Sequence, residues 1–105
     1  MKTVLFAASA KLDLAEGAGF YDRQEAGLGA YFDSSLMADI EELATLHGLH
    51  PRRAGMFKML ATKFPHGIYY HDLDDSVLVV AILDLRRNPA WLRAQLKTRT
   101  ERESS

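Results

Sequence analysis

Apolar residues at the start of the chain predict one strand followed by one helix. Val4, Leu5 and Phe6 are consecutive within residues 3 to 8, and Ser9, a residue type that caps helices, follows them. The stretch from Ala10 to about Glu25 is rich in Ala, Leu and Glu and carries apolar residues at helical spacing. A first strand and a first helix are therefore expected before residue 27.

A second helix is predicted by a repeat of apolar positions after residue 30. The repeat advances by steps of four, four, three and four residues, which places its members on one stripe: Phe32, Leu36, Ile40, Leu43 and His47. Gly48 should end this helix, and Pro51 cannot continue it. The Gly27-Leu28-Gly29 turn between the helices predicts an antiparallel hairpin.

The second half of the chain changes to short apolar segments separated by turn residues, which is typical of a three-stranded meander. The segments run from Met56 to Thr62, from Ile68 to Asp72 and from Val77 to Leu83. The last segment has no polar alternation, so we expect a central strand that is covered on both faces.

Asn88 and Pro89 predict a short terminal helix that continues to Lys97, because Asn caps helices and Pro is favoured in the first turn. The charged tail from Thr98 to Ser105 is expected to fray. Together these elements predict one α+β domain over residues 1–105. Its N-terminal strand and three-stranded meander form a four-stranded antiparallel sheet, against which the helical hairpin and the terminal helix pack.

Composition places the chain among soluble globular proteins. It is 48% hydrophobic and 26% charged, and its longest apolar run is far shorter than the roughly 20 residues of a membrane-spanning helix. The apolar start is too brief for a secretory signal. Because the chain has no cysteine, it forms no disulfide or thiolate site, and the cytoplasm is the expected compartment. Neither a cofactor nor a metal is expected.

Charge is divided unevenly between the two halves of the chain. Residues 1–50 carry three Lys or Arg against eight Asp or Glu, whereas residues 51–105 carry ten against six. The halves therefore have net charges of −5 and +4, although the whole chain carries −1. Such a division favours one face for a basic partner and another for an acidic one, although an ordinary solvated surface explains most divisions of this kind.

Three motifs follow one another in a specific order. The first is Phe20-Tyr21-Asp22-Arg23-Gln24 with the glycine turn and Phe32, and the second is Phe64-Pro65-His66-Gly67-Ile68-Tyr69-Tyr70. The third runs from Val79 to Trp91 and contains Arg86-Arg87-Asn88-Pro89. Their order and spacing resemble the RelE/ParE toxins of bacterial type II toxin–antitoxin systems over about Val4 to Leu96. The likeness is closer to the ParE and plasmid-stabilisation branch than to RelE.

The resemblance implies a toxin held inactive by a cognate antitoxin, whose extended or helical segment wraps the sheet and helices of the toxin. ParE-like members inhibit DNA gyrase, whereas RelE-like members are ribosome-dependent mRNA endonucleases. The expected function is therefore growth inhibition through a bound target, DNA gyrase, with the antitoxin in a hetero-oligomer. A RelE-like nuclease acting on ribosome-bound mRNA and a non-toxic binding module of the same fold are the alternatives.

RelE-like RNA cleavage without a metal needs a general base, cationic groups and a general acid. Arg86 matches the arginine that follows the last strand in this family. Gly67, however, stands where a strand-opening arginine is expected, and the terminal tyrosine falls near Trp91 or Leu92. His66 and His71 are alternative acid and base candidates, although the simpler interpretation makes His66 a turn residue and His71 an exposed strand-end residue. With this set incomplete and the chain not strongly basic, an enzyme is the less favoured interpretation.

Candidate residues for binding the target or the antitoxin come mainly from the basic half. Arg86 and Arg87 suit bidentate recognition of phosphate or carboxylate, or alternatively pair with nearby acidic groups. Lys58 and Lys63 add positive charge, and Lys58 is expected to line a sheet surface.

Large apolar side chains supply the other binding candidates. Trp91 is expected to pack the terminal helix onto the sheet, or alternatively to anchor the antitoxin. Part of the segment that contains Met56 and Phe57 is expected to remain free for the partner.

Overall fold

The structure is a computed structural model that describes residues 1–104, with side chains described through residue 101. Its elements follow the predicted order, with one additional short helix and one additional short strand. They are β1 (Thr3–Phe6), α1 (Ala8–Gln24), α2 (Leu28–Glu41), α3 (Leu43–Leu46), β2 (Arg52–Arg53), β3 (Met56–Leu60), β4 (His66–Asp72), β5 (Ser76–Asp84) and α4 (Pro89–Ser104).

The strands form one mixed sheet in the order β1-β5-β4-β3-β2. The predicted α+β class is confirmed, but β1 is parallel to β5, where the sequence predicted an entirely antiparallel sheet. The α1–α2 hairpin returns the chain to the end of the sheet at which β1 begins, where the Lys2 N–H donates to the Ala44 carbonyl of α3 at 2.9 Å. The following antiparallel strands then alternate in direction, so that β5 runs the same way as β1.

The fifth strand, β2, is short and was not predicted from the sequence. Arg52 and Arg53 pair with Phe57 and Met56 around a two-residue turn. Both turn residues have positive φ, 52° at Ala54 and 80° at Gly55. This backbone matches the twist of a tight hairpin, for which Asn-Gly is the usual signal. An Ala-Gly pair after two arginines lacks that signal.

The turn of the helical hairpin explains why its motif has a fixed spacing. Gly27 adopts the left-handed conformation, with φ 92°. The Asp22 carboxylate accepts hydrogen bonds from the backbone N–H groups of Gly27 (2.9 Å) and Gly29 (3.3 Å). A side chain at Gly29 would place its Cβ 2.4 Å from the Ala18 carbonyl oxygen. The glycines therefore allow the turn and the close approach of α1 to α2.

Apolar layers cover both faces of the sheet. The first lies under α1 and α2 and contains four members of the predicted stripe, all fully buried: Phe32, Leu36, Ile40 and Leu43. The second lies under α4 and contains Tyr69, Val80, Leu83 and Leu96. β5 contributes to both layers, through Val79 to the first and Val80 to the second, which confirms the prediction of a strand covered on both faces.

The second predicted helix is interrupted. α2 ends at Glu41, and the short α3 follows from Leu43 to Leu46. His47 lies beyond the helix, and its Nδ1 is 3.2 Å from the Asp72 carboxylate, which also accepts a hydrogen bond from Lys2 at 2.7 Å. The Lys2 contact is the main reason that the pKa of Asp72 is lowered.

The terminal helix extends to Ser104, beyond the predicted end at Lys97. The expected frayed tail is therefore helical as far as it is described, and Ser105 lies outside the described residues. Within residues 1–104, no helix is long and apolar enough to cross a membrane.

A buried ion pair joins α4 to the rest of the fold. The Arg99 guanidinium, in α4, donates two hydrogen bonds to the Asp13 carboxylate of α1, one of them 2.9 Å long. Arg99 also donates to the Val80 carbonyl of β5 at 3.3 Å, and Asp13 accepts from the Ile82 N–H at 2.9 Å. Three elements therefore meet at two side chains that are each about nine-tenths buried.

Breaking this pair should strongly destabilise the protein. Arg99→Met leaves a buried carboxylate without its partner, for which we expect a loss of about 3–5 kcal/mol in the free energy of unfolding, measured by urea denaturation. The control Arg93→Met removes an exposed arginine of the same helix and should change that free energy by less than about 0.5 kcal/mol. Equal losses in the two variants would contradict the role given to Asp13 and Arg99.

Candidate partner-binding groove

A groove of about 990 Å³ lies between α4 and the sheet, against β2, β3 and β4. Its lining residues are Arg53, Ala54, Lys58, Tyr69, Leu85, Pro89, Leu92, Arg93, Leu96, Lys97, Thr100 and Glu101. Four of these side chains are cationic, whereas Glu101 is the one lining carboxylate among the described residues. The groove thus combines apolar surface with a positive charge.

The α4 side of the groove is built from two repeated pairs. Leu92 and Leu96 are four residues apart and share a helix face, and each is followed by an exposed cation, Arg93 or Lys97. Neither cation was predicted from the sequence as a binding residue. Their signal was this four-residue repeat of leucine followed by a basic residue, within a segment predicted only as a short helix.

The sheet side of the groove carries one predicted residue. Lys58 lines the groove from β3, beside Tyr69, its pairing partner on the adjacent strand β4. Tyr69 is 2% exposed, and burial raises the pKa of its hydroxyl. Arg53, the last residue of β2, also lines the groove, so the strand that was not predicted supplies a second cation.

Of the segment that was expected to be partly free for a partner, Met56 is not free and Phe57 is partly buried. Met56 is fully buried in the apolar layer beneath α4. Phe57 points into the opposite layer, where its ring stacks on Tyr70 with centroids 5.4 Å apart, and Arg52 lies 4.7 Å above it. A domain of this size uses these large side chains for its own core.

The two arginines after β5 lie outside the groove. Arg86 binds the Asp84 carboxylate through two of its nitrogens, at 2.7 Å and 3.0 Å, and donates to the Tyr21 hydroxyl at 3.2 Å. Its hydrogen bonding lowers the pKa of Asp84. Arg86 therefore pairs with a nearby acidic group, which was one of its two interpretations from the sequence. Tyr21 was not predicted as its partner, since 65 residues separate them in the sequence.

Arg87, Trp91 and Lys63 each make an aromatic contact. The Arg87 guanidinium lies 3.9 Å from the centroid of the Trp91 ring, and both residues line a separate cleft beside α1. Trp91 also packs against the layer under α4, as expected. Lys63 lies 5.6 Å from the Tyr31 ring, away from both openings. The predicted cations therefore do not form one patch.

The histidine candidates are also separated. His66 begins β4 opposite Asp84, whereas His71 pairs with Leu78. Five residues along a strand place the two histidines about 16 Å apart, so they cannot act as an acid and base pair on one substrate. His66 is not the expected turn residue, because it is 5% exposed and packs against the rings of Tyr21 and Phe32.

His47 and His50 are joined to β4 by hydrogen bonds. The Tyr70 hydroxyl accepts a hydrogen bond from the Gly48 N–H at 2.9 Å and lies 2.6 Å from Nδ1 of His50. The Tyr70 hydroxyl and Nδ1 of His50 therefore share a hydrogen bond. This bond fixes the segment that leads into β2 and hence the position of Arg53.

Comparisons with known proteins identify the fold. No protein-family model and no curated protein matches the sequence. Among solved structures, the chain is similar to one described as the chromosomal ParDE TA system from P. aeruginosa. The TM-score is 0.70, with 78% of this chain and 94% of that chain covered at 11% sequence identity. The fold is RelE/ParE-like. The fold that the three sequence motifs predicted is thereby confirmed.

The buried histidine should make stability depend on pH. Burial lowers the pKa of His66 in the folded protein, so the unfolded chain binds more protons as the pH falls below about 6.5. The free energy of unfolding should therefore decrease on acidification, and His66→Phe should reduce this decrease. Urea denaturation at several pH values measures both.

Part of the pH dependence should survive in the His66→Phe variant, because burial also lowers the pKa of His50. Each pKa unit between the folded and unfolded states corresponds to about 1.4 kcal/mol. If the variant lost stability on acidification as steeply as the unmodified protein, His66 would not be the group responsible.

Proposed function

We propose that this chain is the toxin component of a type II toxin–antitoxin pair, of the ParE type. In this proposal it acts in the cytoplasm by binding DNA gyrase and is neutralised by a cognate antitoxin in a hetero-oligomer. The observation that carries the proposal is a large apolar groove with a basic rim on a RelE/ParE-like fold. The three sequence motifs support it, since they resemble the ParE branch.

The groove suits an acidic, amphipathic segment of an antitoxin. Its apolar lining includes Leu85, Leu92 and Leu96. Large contiguous apolar patches on the surface of a small protein often mark interaction sites. Arg93 and Lys97 would pair with carboxylates flanking the apolar residues of such a segment. The opposite helices α1 and α2 carry much of the acidic half of the chain, so charge would direct the segment to the groove.

The gyrase target rests on the resemblance to ParE and on what the proposed nuclease site lacks. A RelE-like nuclease needs a proton-transfer group that reaches both its substrate and the cation at Arg86. His66 lies near Arg86 but is 5% exposed, and Asp84 already occupies the Arg86 guanidinium. A protein-binding mode of action requires neither group to be accessible.

Expression of the chain alone in bacterial cells should distinguish the candidate functions. We expect incorporation of labelled thymidine to fall before incorporation of labelled amino acids, and the purified chain to inhibit supercoiling by gyrase. A prior fall in translation, with cleavage of ribosome-bound mRNA that Arg86→Ala abolishes, would instead establish the nuclease alternative. Normal growth with normal synthesis of both polymers would indicate a non-toxic binding module.

Reversing the charge of the groove should weaken the antitoxin complex. The double variant Arg93→Glu/Lys97→Glu replaces two exposed cations by anions, so we expect at least a roughly tenfold loss of affinity for the antitoxin encoded beside this chain. Calorimetric titration at low and high salt measures it, and salt should weaken the unmodified complex.

The matched control for this experiment is Lys11→Glu, on the exposed surface of α1 away from the groove. It changes the net charge in the same direction and should leave the affinity nearly unchanged. Equal losses from the control and from the groove variant would show that total charge, rather than the groove, determines binding.

A further inference from the structure

A second cleft, of about 520 Å³, opens between α1, β5 and the start of α4. This volume falls within the roughly 300–1,000 Å³ of typical small-molecule sites. The cleft differs from the partner-binding groove in its chemistry, because aromatic, acidic and basic side chains line it together. The proposed toxin function makes no use of it.

Two arginines at this cleft have unused hydrogen-bond donors. Arg87 is held over the Trp91 ring at 3.9 Å, and the Arg23 guanidinium lies beside Gly19, 3.3 Å from where a side chain there would begin. Among the side chains of residues 1–101, no carboxylate lies at ion-pair distance from either guanidinium. A guanidinium that is oriented by stacking but not bonded is prepared for bidentate contact with a phosphate or carboxylate.

The inner end of the cleft holds further unsatisfied polar groups. The Tyr21 hydroxyl accepts a hydrogen bond from Arg86, and its own proton has no acceptor among the described residues. His66 also lines the cleft, and its buried Nδ1 has no hydrogen-bond partner within the described part of the chain. Because buried polar atoms in proteins are nearly always bonded, an orphan beside a cleft indicates a ligand or water as its partner.

The acidic residues of the cleft do not cancel this attraction for an anion. Asp13 is neutralised by Arg99, and Asp84 by Arg86. The remaining carboxylate, Glu16, is exposed and has no cation at ion-pair distance in the described structure. It can accept hydrogen bonds from hydroxyl groups, which inorganic anions such as sulfate do not offer.

Aromatic rings complete the lining. Phe20 is 43% exposed and Trp91 is partly buried, and both contribute to the walls of the cleft. Exposed ring faces bind planar groups by stacking. A fitting ligand therefore carries a planar ring, hydroxyl groups and an anionic end.

We propose that this cleft binds a nucleoside monophosphate. Its phosphate would contact Arg23 and Arg87, its ribose hydroxyl groups would donate to Glu16, and its base would stack on an aromatic wall. The Tyr21 hydroxyl would donate to the phosphate or to the ribose. This binding site is independent of the proposed toxin function and of the partner-binding groove.

The experiment is an NMR titration of the full chain with AMP, adenosine and inorganic phosphate as separate probes. We expect AMP to shift the amide signals of Gly17 and Gly19 and the Trp91 indole signal along one saturable curve. Adenosine and phosphate should each bind at least roughly tenfold more weakly, since each makes only part of the contacts. Arg87→Gln should weaken AMP binding by a similar factor.

Two further variants keep the result interpretable. Arg23→Gln changes the second exposed guanidinium and should also weaken AMP binding, whereas Arg93→Gln changes an arginine of the partner-binding groove and should not. The proposal would be overturned by the absence of saturable shifts at millimolar AMP, or by shifts confined to the groove. Equal binding of phosphate and AMP, or unchanged AMP affinity in Arg87→Gln, would overturn it as well.

Discussion

The buried pair of Asp13 and Arg99 positions the terminal helix, and both openings of the molecule depend on that helix. Apolar contact alone would not define the orientation of α4 on the sheet, because hydrophobic attraction has no direction. The planar guanidinium of Arg99 instead makes bonds of fixed geometry to a carboxylate of α1 and a carbonyl of β5. A buried ion pair costs desolvation, so its contribution here is best understood as orientation rather than as net stability.

That orientation determines what each residue of α4 can do. Successive residues of a helix project about 100° apart, so neighbours in the sequence serve different surfaces. Trp91 lines the cleft beside α1, Leu92 and Arg93 line the groove on the sheet, and Leu96 fills the apolar layer. A small rotation of α4 would move a cation into the apolar layer and Trp91 away from Arg87.

Patterns between neighbours in the chain predicted most of the fold, whereas contacts between distant residues were not predictable. The stripe from Phe32 to Leu43, the buried β5 strand and the glycine turn each follow from spacing over a few residues. Asp13 and Arg99 are 86 residues apart, and nothing local marks either as a member of a buried pair. Arg99 lies in the charged tail, where the sequence shows only a polar segment and gives no sign of a buried partner.

The same distinction explains why only part of the candidate site was predicted. Arg86 was predicted as a binding residue because it follows the last strand at a fixed distance. In the fold, however, it binds Asp84 and Tyr21. The cations that remain available, Arg93 and Lys97, lie outside the three sequence motifs and come together only when α4 packs on the sheet. Charge on a folded surface is available to a partner only where the fold has not already paired it. Among the described side chains, the cations of the groove and of the cleft have no carboxylate partner, so these are the charges that can contact a ligand or a partner.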